Sequence, residues 1–267
     1  MHVFISPHLD DAVLSCGGLI HQLVRRGEKV VSITVMAGSP NEPLPDTPLT
    51  RDLHQRWQAG KDPYETRRQE DFDALHRLGV QNIQHLGLLD CPYRTDVHGK
   101  PLYTLNSHLF SGIHPDDPVL AYQLPIPENA HFVYAPLGAG GHVDHLAVRR
   151  AAQQLPSDLV VYYYEEYPYS ASSGEARRIT DDSPQQQVGA QAVQTALDSF
   201  QQRLRPRLTF LTEDDLAAKI AAIMYYRSQI SSFWDNTADM AARVRAYAQE
   251  VAAPAAERLW VKGESNP

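Results

Sequence analysis

An α/β fold, with a mostly parallel sheet covered by helices on both faces, is what this sequence predicts, and three observations carry the prediction. Short apolar runs rich in β-branched residues recur along the chain, first at Val3, Phe4 and Ile5 and again at "KVVSITV", residues 29–35. Between such runs lie segments whose apolar residues repeat at helical spacing. Strands that alternate with helices favour a parallel sheet buried on both faces, a Rossmann-like three-layer sandwich. The third observation is size: 267 residues, 43% of them hydrophobic, can bury a sizeable core within one large domain.

The elements follow in order. Residues 2–6 read as a strand, 12–26 as a helix that stops near Gly27, and 29–35 as a second buried strand, which together make a βαβ unit. A Pro-rich loop is expected from 38 to 63, then the helix "YETRRQEDFDALHRLG", whose Phe72, Leu75 and Leu78 recur at helical spacing before Gly79. Strand-like runs return at 82–86, 131–136 and 159–164, with a helix at about 144–155 between the last two. Residues 170–206 are Gln- and Ser-rich with helical character late in the segment. Helices at about 213–230 and 238–250 follow, and "RLWVKG" reads as a final strand. The expected organisation is one domain over 1–267, with a motif-bearing core over about 1–165 and a helical part over about 190–267.

Charge and composition exclude several classes of function. A net charge of −8 and a pI near 5.8 argue against a nucleic-acid groove, which needs clustered Lys and Arg to displace counterions. No stretch approaches the roughly 18 apolar residues that span a bilayer, and no basic, then apolar, leader opens the sequence. A cytoplasmic protein with a small-molecule partner is expected, and association into a homo-oligomer stays open. Cys16 and Cys91 lack zinc-ribbon or CxxC spacing and are read as buried thiols.

Two strand ends carry the chemistry. "SPHLDD" places His8, Asp10 and Asp11 where the first strand gives way to a helix, outside the carboxyl end of a strand, where open α/β sheets bind ligands. A dinucleotide site would need a glycine fingerprint at this turn, and two carboxylates would repel a phosphate. A plain helix cap explains one aspartate and leaves the other idle. "GHVDH" repeats the arrangement after a later strand, with His142 and His145 three residues apart on one face of a helical turn and Asp144 between them. Two such ends can converge above the sheet and offer nitrogen and oxygen ligands to a borderline cation. Adjacent aspartates point different ways from a helical turn, so one can face an ion and the other its water.

These motifs resemble those of the PIG-L, or LmbE-like, family of zinc-dependent N-deacetylases. "SPHLDD" matches the family's strand followed by a histidine and paired aspartates, and "GHVDH" its later HxDH motif. The likeness covers roughly residues 1–165, including the helix "TRRQEDFDALHRLGV"; further on only "YYYEEYPY" and "YYRSQ" look similar. The resemblance implies that His8, Asp11 and His145 bind zinc or another divalent transition metal, with Asp10 as general base. It also implies a hydrolase that removes an N-acyl group, acetyl in the family, from an amino sugar or related small conjugate. His142 would stabilise, in protonated form, the oxygen that gains charge, and Asp144 would orient a histidine. Arg68 (with Arg67 beside it) and Asp90 in "LGLLDCPYR" resemble family groups that hold substrate, and Arg94 lies close behind. Some members carry a tyrosine two residues before the first histidine of the HxDH motif; Gly140 stands there in this chain, and Tyr167 and Tyr169 are the candidates to replace it.

The competing reading is a non-catalytic metal- or sugar-binding module on the same fold. It predicts loss of the base while ligands remain, and both Asp10 and His142 are present. A decoy also needs excluding. Residues 114–117 spell "HPDD", closer to the commonest family wording than "HLDD", but no apolar strand leads into His114 and Pro118 follows directly. Asp116 and Asp117 read as a turn or helix-start pair.

Overall fold

Strand β1 (His2–Ser6), helix α1 (Asp11–Arg25) and strand β2 (Val30–Thr34) form the expected first βαβ unit in this computed structural model, which describes residues 1–57, 63–176 and 187–263. Along β1 the side chains alternate: Phe4 packs with Val13, Leu14 and Ile20 of α1, while Val3 and Ile5 join the core on the opposite face. Each fully buried side chain of this kind contributes about 1.5–3 kcal/mol. Gly27, at φ 77°, takes the left-handed conformation that releases the chain from α1.

Helices α2 (Pro48–Trp57) and α3 (Pro63–Arg77) lead to β3 (Asn82–His85). A long stretch with only single-turn 3-10 segments then reaches β4 (Phe132–Pro136), α4 (Val143–Ala152) and β5 (Val160–Tyr164). The last part holds α5 (Gly189–Asp198), β6 (Leu204–Phe210), α6 (Glu213–Ile223), α7 (Arg227–Phe233), α8 (Thr237–Val251) and β7 (Ala256–Lys262). Among the described residues, seven strands form one sheet in the order β3-β2-β1-β4-β5-β7-β6. The first five are parallel; β7 pairs antiparallel with β5 and β6 antiparallel with β7. Helices α1, α6 and α8 contribute to the core on one face, and α4 and α5 to that on the other, which gives the three layers.

Several elements differ from expectation, each for a physical reason. Helix α2 lies inside the stretch read as a loop: Thr47 and Thr50 exchange backbone N–H to Oγ1 hydrogen bonds of 3.0 and 3.1 Å, and Pro48 occupies the first helical position. Residues 58–62 of that stretch lie outside the described residues, as do 177–186 of the Gln- and Ser-rich segment. Phe72 is exposed on α3 and stacks on His76, while its neighbour Asp71 turns inward to Thr34, His85 and Tyr226. The expected helix at 213–230 breaks in two because Tyr226, between α6 and α7, is drawn into the core with its hydroxyl 2.7 Å from Asp71. Strand β6 corresponds to no expected element; it carries Pro206, which an edge strand tolerates.

The topology places the site. From β1 the chain winds outward through β2 and β3, then returns to β4 on the other side of β1. The carboxyl ends of β1 and β4 are therefore neighbours at the point where the strand order reverses, the crevice in which open α/β sheets bind ligands.

Candidate metal centre

The turn after β1 is tied shut by its own side chains. Ser6 Oγ donates to His8 O at 2.6 Å and accepts the Ala12 N–H at 3.0 Å. Asp11 Oδ2 accepts the His8 N–H at 2.7 Å. Asp10 is the N-cap of α1, yet its side chain makes no capping bond, so helix capping does not account for it. After β4, the buried Glu166 carboxylate accepts the N–H groups of Gly138 (2.5 Å) and Ala139 (3.0 Å). Helix α4 then starts at His142, whose Nδ1 accepts the Asp144 N–H at 3.2 Å.

These two turns bring His8, Asp11 and His145 together. Asp11 Oδ2 lies 3.2 Å from His8 Nδ1, and Asp11 Oδ1 lies 3.3 Å from His145 Nε2. On their far sides the two rings meet other carboxylates: His8 Nε2 is 3.0 Å from Asp144 Oδ2, and His145 Nδ1 is 3.3 Å from Glu166 Oε1. A carboxylate behind a histidine fixes its tautomer and aims the other nitrogen, the usual arrangement around a metal. His145 Nε2 is buried without a hydrogen-bond partner, and donor atoms of His8, His142 and His145 lie within 4.8 Å of one another. An orphaned ring nitrogen beside a carboxylate and further imidazoles fits a divalent transition metal.

Electrostatics divide the two aspartates. Burial and the adjacent Asp11 push the Asp10 carboxyl above the ordinary aspartate value, outweighing Arg67. Burial would raise Asp11 too, but His145 and His8 hold it well below. Burial disfavours charge on His145, yet Asp11 and Glu166 raise it to about 9. A cation that binds here displaces such protons, so its uptake strengthens as pH rises. Burial, reinforced by His8, holds His142 well below the ordinary histidine value. That direction runs against the expectation of a protonated ring, and with Nδ1 accepting from Asp144 a neutral His142 carries its proton on Nε2.

The cleft above these groups is lined by His8, Asp10, Asp11, Arg67, Asp90 and His142, with Trp57, Leu109, Tyr169 and Phe233 among its apolar walls. Asp90 is buried there and accepts the Tyr64 hydroxyl at 2.9 Å. Arg68 does not line the cleft: it donates to Ala37 O and Ser39 Oγ. The buried neighbour Arg67 does, 3.7 Å from Asp10 and 4.0 Å from Asp90, its guanidinium 4.8 Å from the Trp57 ring centre. Helical phase decides between the two arginines, and the buried side of α3 runs through Arg67, Asp71, Ala74 and Leu75.

Asp144 stands behind His8, not His142, whose ring bonds its backbone. Glu166 was not singled out, although it lies in "YYYEEYPY"; a further signal is the charged pair Glu165 and Glu166 closing a strand at the same end of the sheet as both motifs. Of the two tyrosines, Tyr167 is engaged with Glu175 and Trp234, whereas Tyr169 faces the cleft and meets the His145 ring edge-on. Gly140 has φ 81°, and a Cβ there would lie 2.7–2.9 Å from Tyr169, so the Tyr169 ring fills the space a side chain at 140 would need. The decoy histidine stays apart: the His114 side chain is 40% exposed, while Asp117 of the same segment is buried and caps a short 3-10 turn.

The fold and this cluster define a doubly wound α/β protein with a histidine–aspartate cluster able to hold a metal ion at its topological switch point. The chain belongs to the PIG-L family, described as GlcNAc-PI de-N-acetylase, which its residues 3–155 match. It is 29% identical over 186 residues to a 2'-N-acetylparomamine deacetylase of Niallia circulans, a match that takes in 62% of this chain and 66% of that protein. A protein of the same name from Streptomyces fradiae is 29% identical over 175 residues, 63% of this chain and 57% of its own length. The match thus spans less than two thirds of either relative. A deacetylase from the teicoplanin biosynthesis pathway, crystallised in a "bog" complex, shares the fold with a TM-score of 0.74 and 23% identity over 99% of both chains. Among the described residues no helix is long and apolar enough to cross a membrane.

Proposed function

We propose that this chain is a zinc-dependent N-deacetylase that hydrolyses the N-acetyl amide of an amino sugar, free or within a larger conjugate. The observation that carries the reading is Asp11 set between His8 and His145, each ring backed by a second carboxylate. His8, Asp11 and His145 would hold the metal. Bound there, zinc supplies a Lewis acid for the amide carbonyl and acidifies the attacking water.

The chain's own groups do the rest. Asp10, free of any capping duty and raised toward neutral pH, accepts the water's proton. His142 donates from Nε2 to the carbonyl oxygen as it gains charge, and Tyr169 borders the same space. The carbon–nitrogen bond then breaks, the proton held by Asp10 passes to the leaving amine, and acetate departs. Arg67 and Asp90 face the cleft and bind substrate hydroxyls.

The amino-sugar assignment is supported by the names of the two relatives from Niallia circulans and Streptomyces fradiae. A single domain is supported by one sheet that runs from β1 to β7. A cytoplasmic setting is supported by two buried cysteines that form no disulfide. The experiment is metal analysis of the purified protein followed by an amine-release screen over N-acetylated amino sugars, N-acetylparomamine included. About one divalent ion per chain and release of a free amine are expected. Protein that binds no metal even after reconstitution overturns the reading.

A further inference from the structure

The decoy segment and an arginine outside the cleft form one buried chain of contacts that ends on His8. Tyr103 donates its hydroxyl to Asp117 Oδ2 at 2.7 Å, and Asp117 Oδ1 accepts the Val119 N–H at 3.0 Å. Arg94 donates from Nε to Asp117 Oδ2 at 3.0 Å, and its Nη2 lies 2.9 Å from the same oxygen. Its Nη1 donates to Leu89 O at 3.0 Å and lies 2.5 Å from Asp144 Oδ1. Asp144 Oδ2 in turn faces His8 Nε2 at 3.0 Å and accepts the Cys91 N–H at 3.1 Å. Tyr103, Asp117, Arg94 and Asp144 are all buried.

Nothing in the fold requires so much buried charge for packing alone, since an ion pair taken out of water gains little over an apolar contact of the same size. What the arrangement provides is orientation. The Nε–Nη2 edge of the Arg94 guanidinium is fixed by Asp117, and the Tyr103 ring centre lies 5.4 Å from its central carbon. Only a forked, planar cation can bridge two carboxylates and a carbonyl from one position. The buried arginines divide the acidic cluster between them: Arg67 faces Asp10 and Asp90 on the cleft side, and Arg94 faces Asp144 from behind.

We propose that Arg94, anchored by Asp117 of the "HPDD" segment, is a positioning residue that holds the Asp144 carboxylate against His8 Nε2 and so aims His8 Nδ1 at the metal. The proposal rests on the reading of His8 as a metal ligand. It also makes Arg94 a part of the metal centre's support, with no contact to substrate.

The test compares Arg94→Met, Arg94→Lys and Asp117→Asn with the parent, each loaded with Co2+ in place of the native metal. Metal affinity is measured by chelator competition, the ligand field by the visible spectrum of the bound cobalt, and catalysis by kcat and KM for amine release. Arg94→Met is expected to lose about 10–100-fold in metal affinity, the scale for removing a partner behind a metal-bound histidine. Its cobalt spectrum should change, and kcat should fall at sub-saturating metal while KM stays within about twofold of the parent. Arg94→Lys keeps the charge without the fork and should recover part of the affinity; Asp117→Asn should lose less than Arg94→Met. Where Arg94→Met does not fold, the two conservative variants carry the same measurements. Unchanged affinity and spectrum, with only a lower melting temperature, overturn the proposal, as does a raised KM at full metal, which makes Arg94 a substrate contact. A parent that binds no metal overturns the function proposed above; a parent and Arg94→Met that bind it equally overturn this inference alone.

Discussion

Replacing Asp10 by asparagine separates the base from the ligands. Asp10 sits at the N-cap of α1 but makes no capping hydrogen bond, and the nearest cation, Arg67, is 3.7 Å away. Asparagine has nearly the same shape, so the variant is expected to keep the fold. It also relieves the repulsion that raises the Asp10 carboxyl beside Asp11. The metal set of His8, Asp11 and His145 is untouched, and metal content should stay near one ion per chain. Catalysis should not survive: a general base contributes about 10²–10⁴-fold, or about 3–5 kcal/mol of barrier. In the parent, kcat/KM should climb with pH as Asp10 loses its proton, and because burial raises that group, the acid limb should lie above the ordinary aspartate value of 3.8. Elemental analysis, thermal melting and amine release measured on one preparation decide the matter. Turnover within about threefold of the parent at full metal content would refute the assignment, because removal of a true base cannot cost so little.

Three further outcomes are expected. His8→Ala should lose both metal and amine release, whereas His114→Ala, at an exposed decoy position, should leave both within about threefold of the parent; the reverse result in metal analysis would overturn the placement of the centre at the ends of β1 and β4. Glu166→Gln turns an acceptor facing Gly138 N–H, Ala139 N–H and His145 Nδ1 partly into a donor, and should weaken metal binding by about 10–100-fold; chelator competition that matches the parent would remove Glu166 from the centre. Burial alone would raise the Asp215 carboxyl, but hydrogen bonds from Thr212, Gln22 and His21 bring it from 3.8 down to about 2. A folded value below the unfolded one adds stability above pH 4 that fades as pH falls toward 2, so Asp215→Asn should cost about 1–2 kcal/mol in urea unfolding at pH 7, allowing for solvent screening, and less in acid. A pH-independent difference would show that the cap acts through shape and not through charge.

Much of the fold and of the cluster was legible in the chain itself. Residues next to each other in sequence share a local backbone, so "SPHLDD" and "GHVDH" could be read as strand ends that present His and Asp outward, and the apolar runs before them as buried strands. The structure brings His8, Asp10, Asp11, Asp90, His142, Asp144 and His145 into one neighbourhood. The decoy was equally readable, since "HPDD" has no apolar strand before it.

Other features belong to tertiary structure alone. Which of Arg67 and Arg68 enters the cleft depends on the rotation of α3 against the sheet, a difference of one residue that spacing does not resolve. Glu166 and Arg94 support His145 and His8 from 21 and 86 positions away in sequence, and no local pattern links them. Tyr169 fills the space beside Gly140 because β4 and β5 are neighbours, which becomes visible only once the strand order is known. Among the described residues strand β6 is an edge strand paired with β7, which lies beyond α6, α7 and α8, so its pairing follows from the completed sheet and not from its own residues. The sequence by itself determined which chemical groups stand at the ends of its strands, because local backbone preference and side-chain alternation act within a few residues. Only the tertiary structure decided which groups stand behind them, because hydrogen bonds between distant segments form where packing of the whole sheet and its helices brings them together.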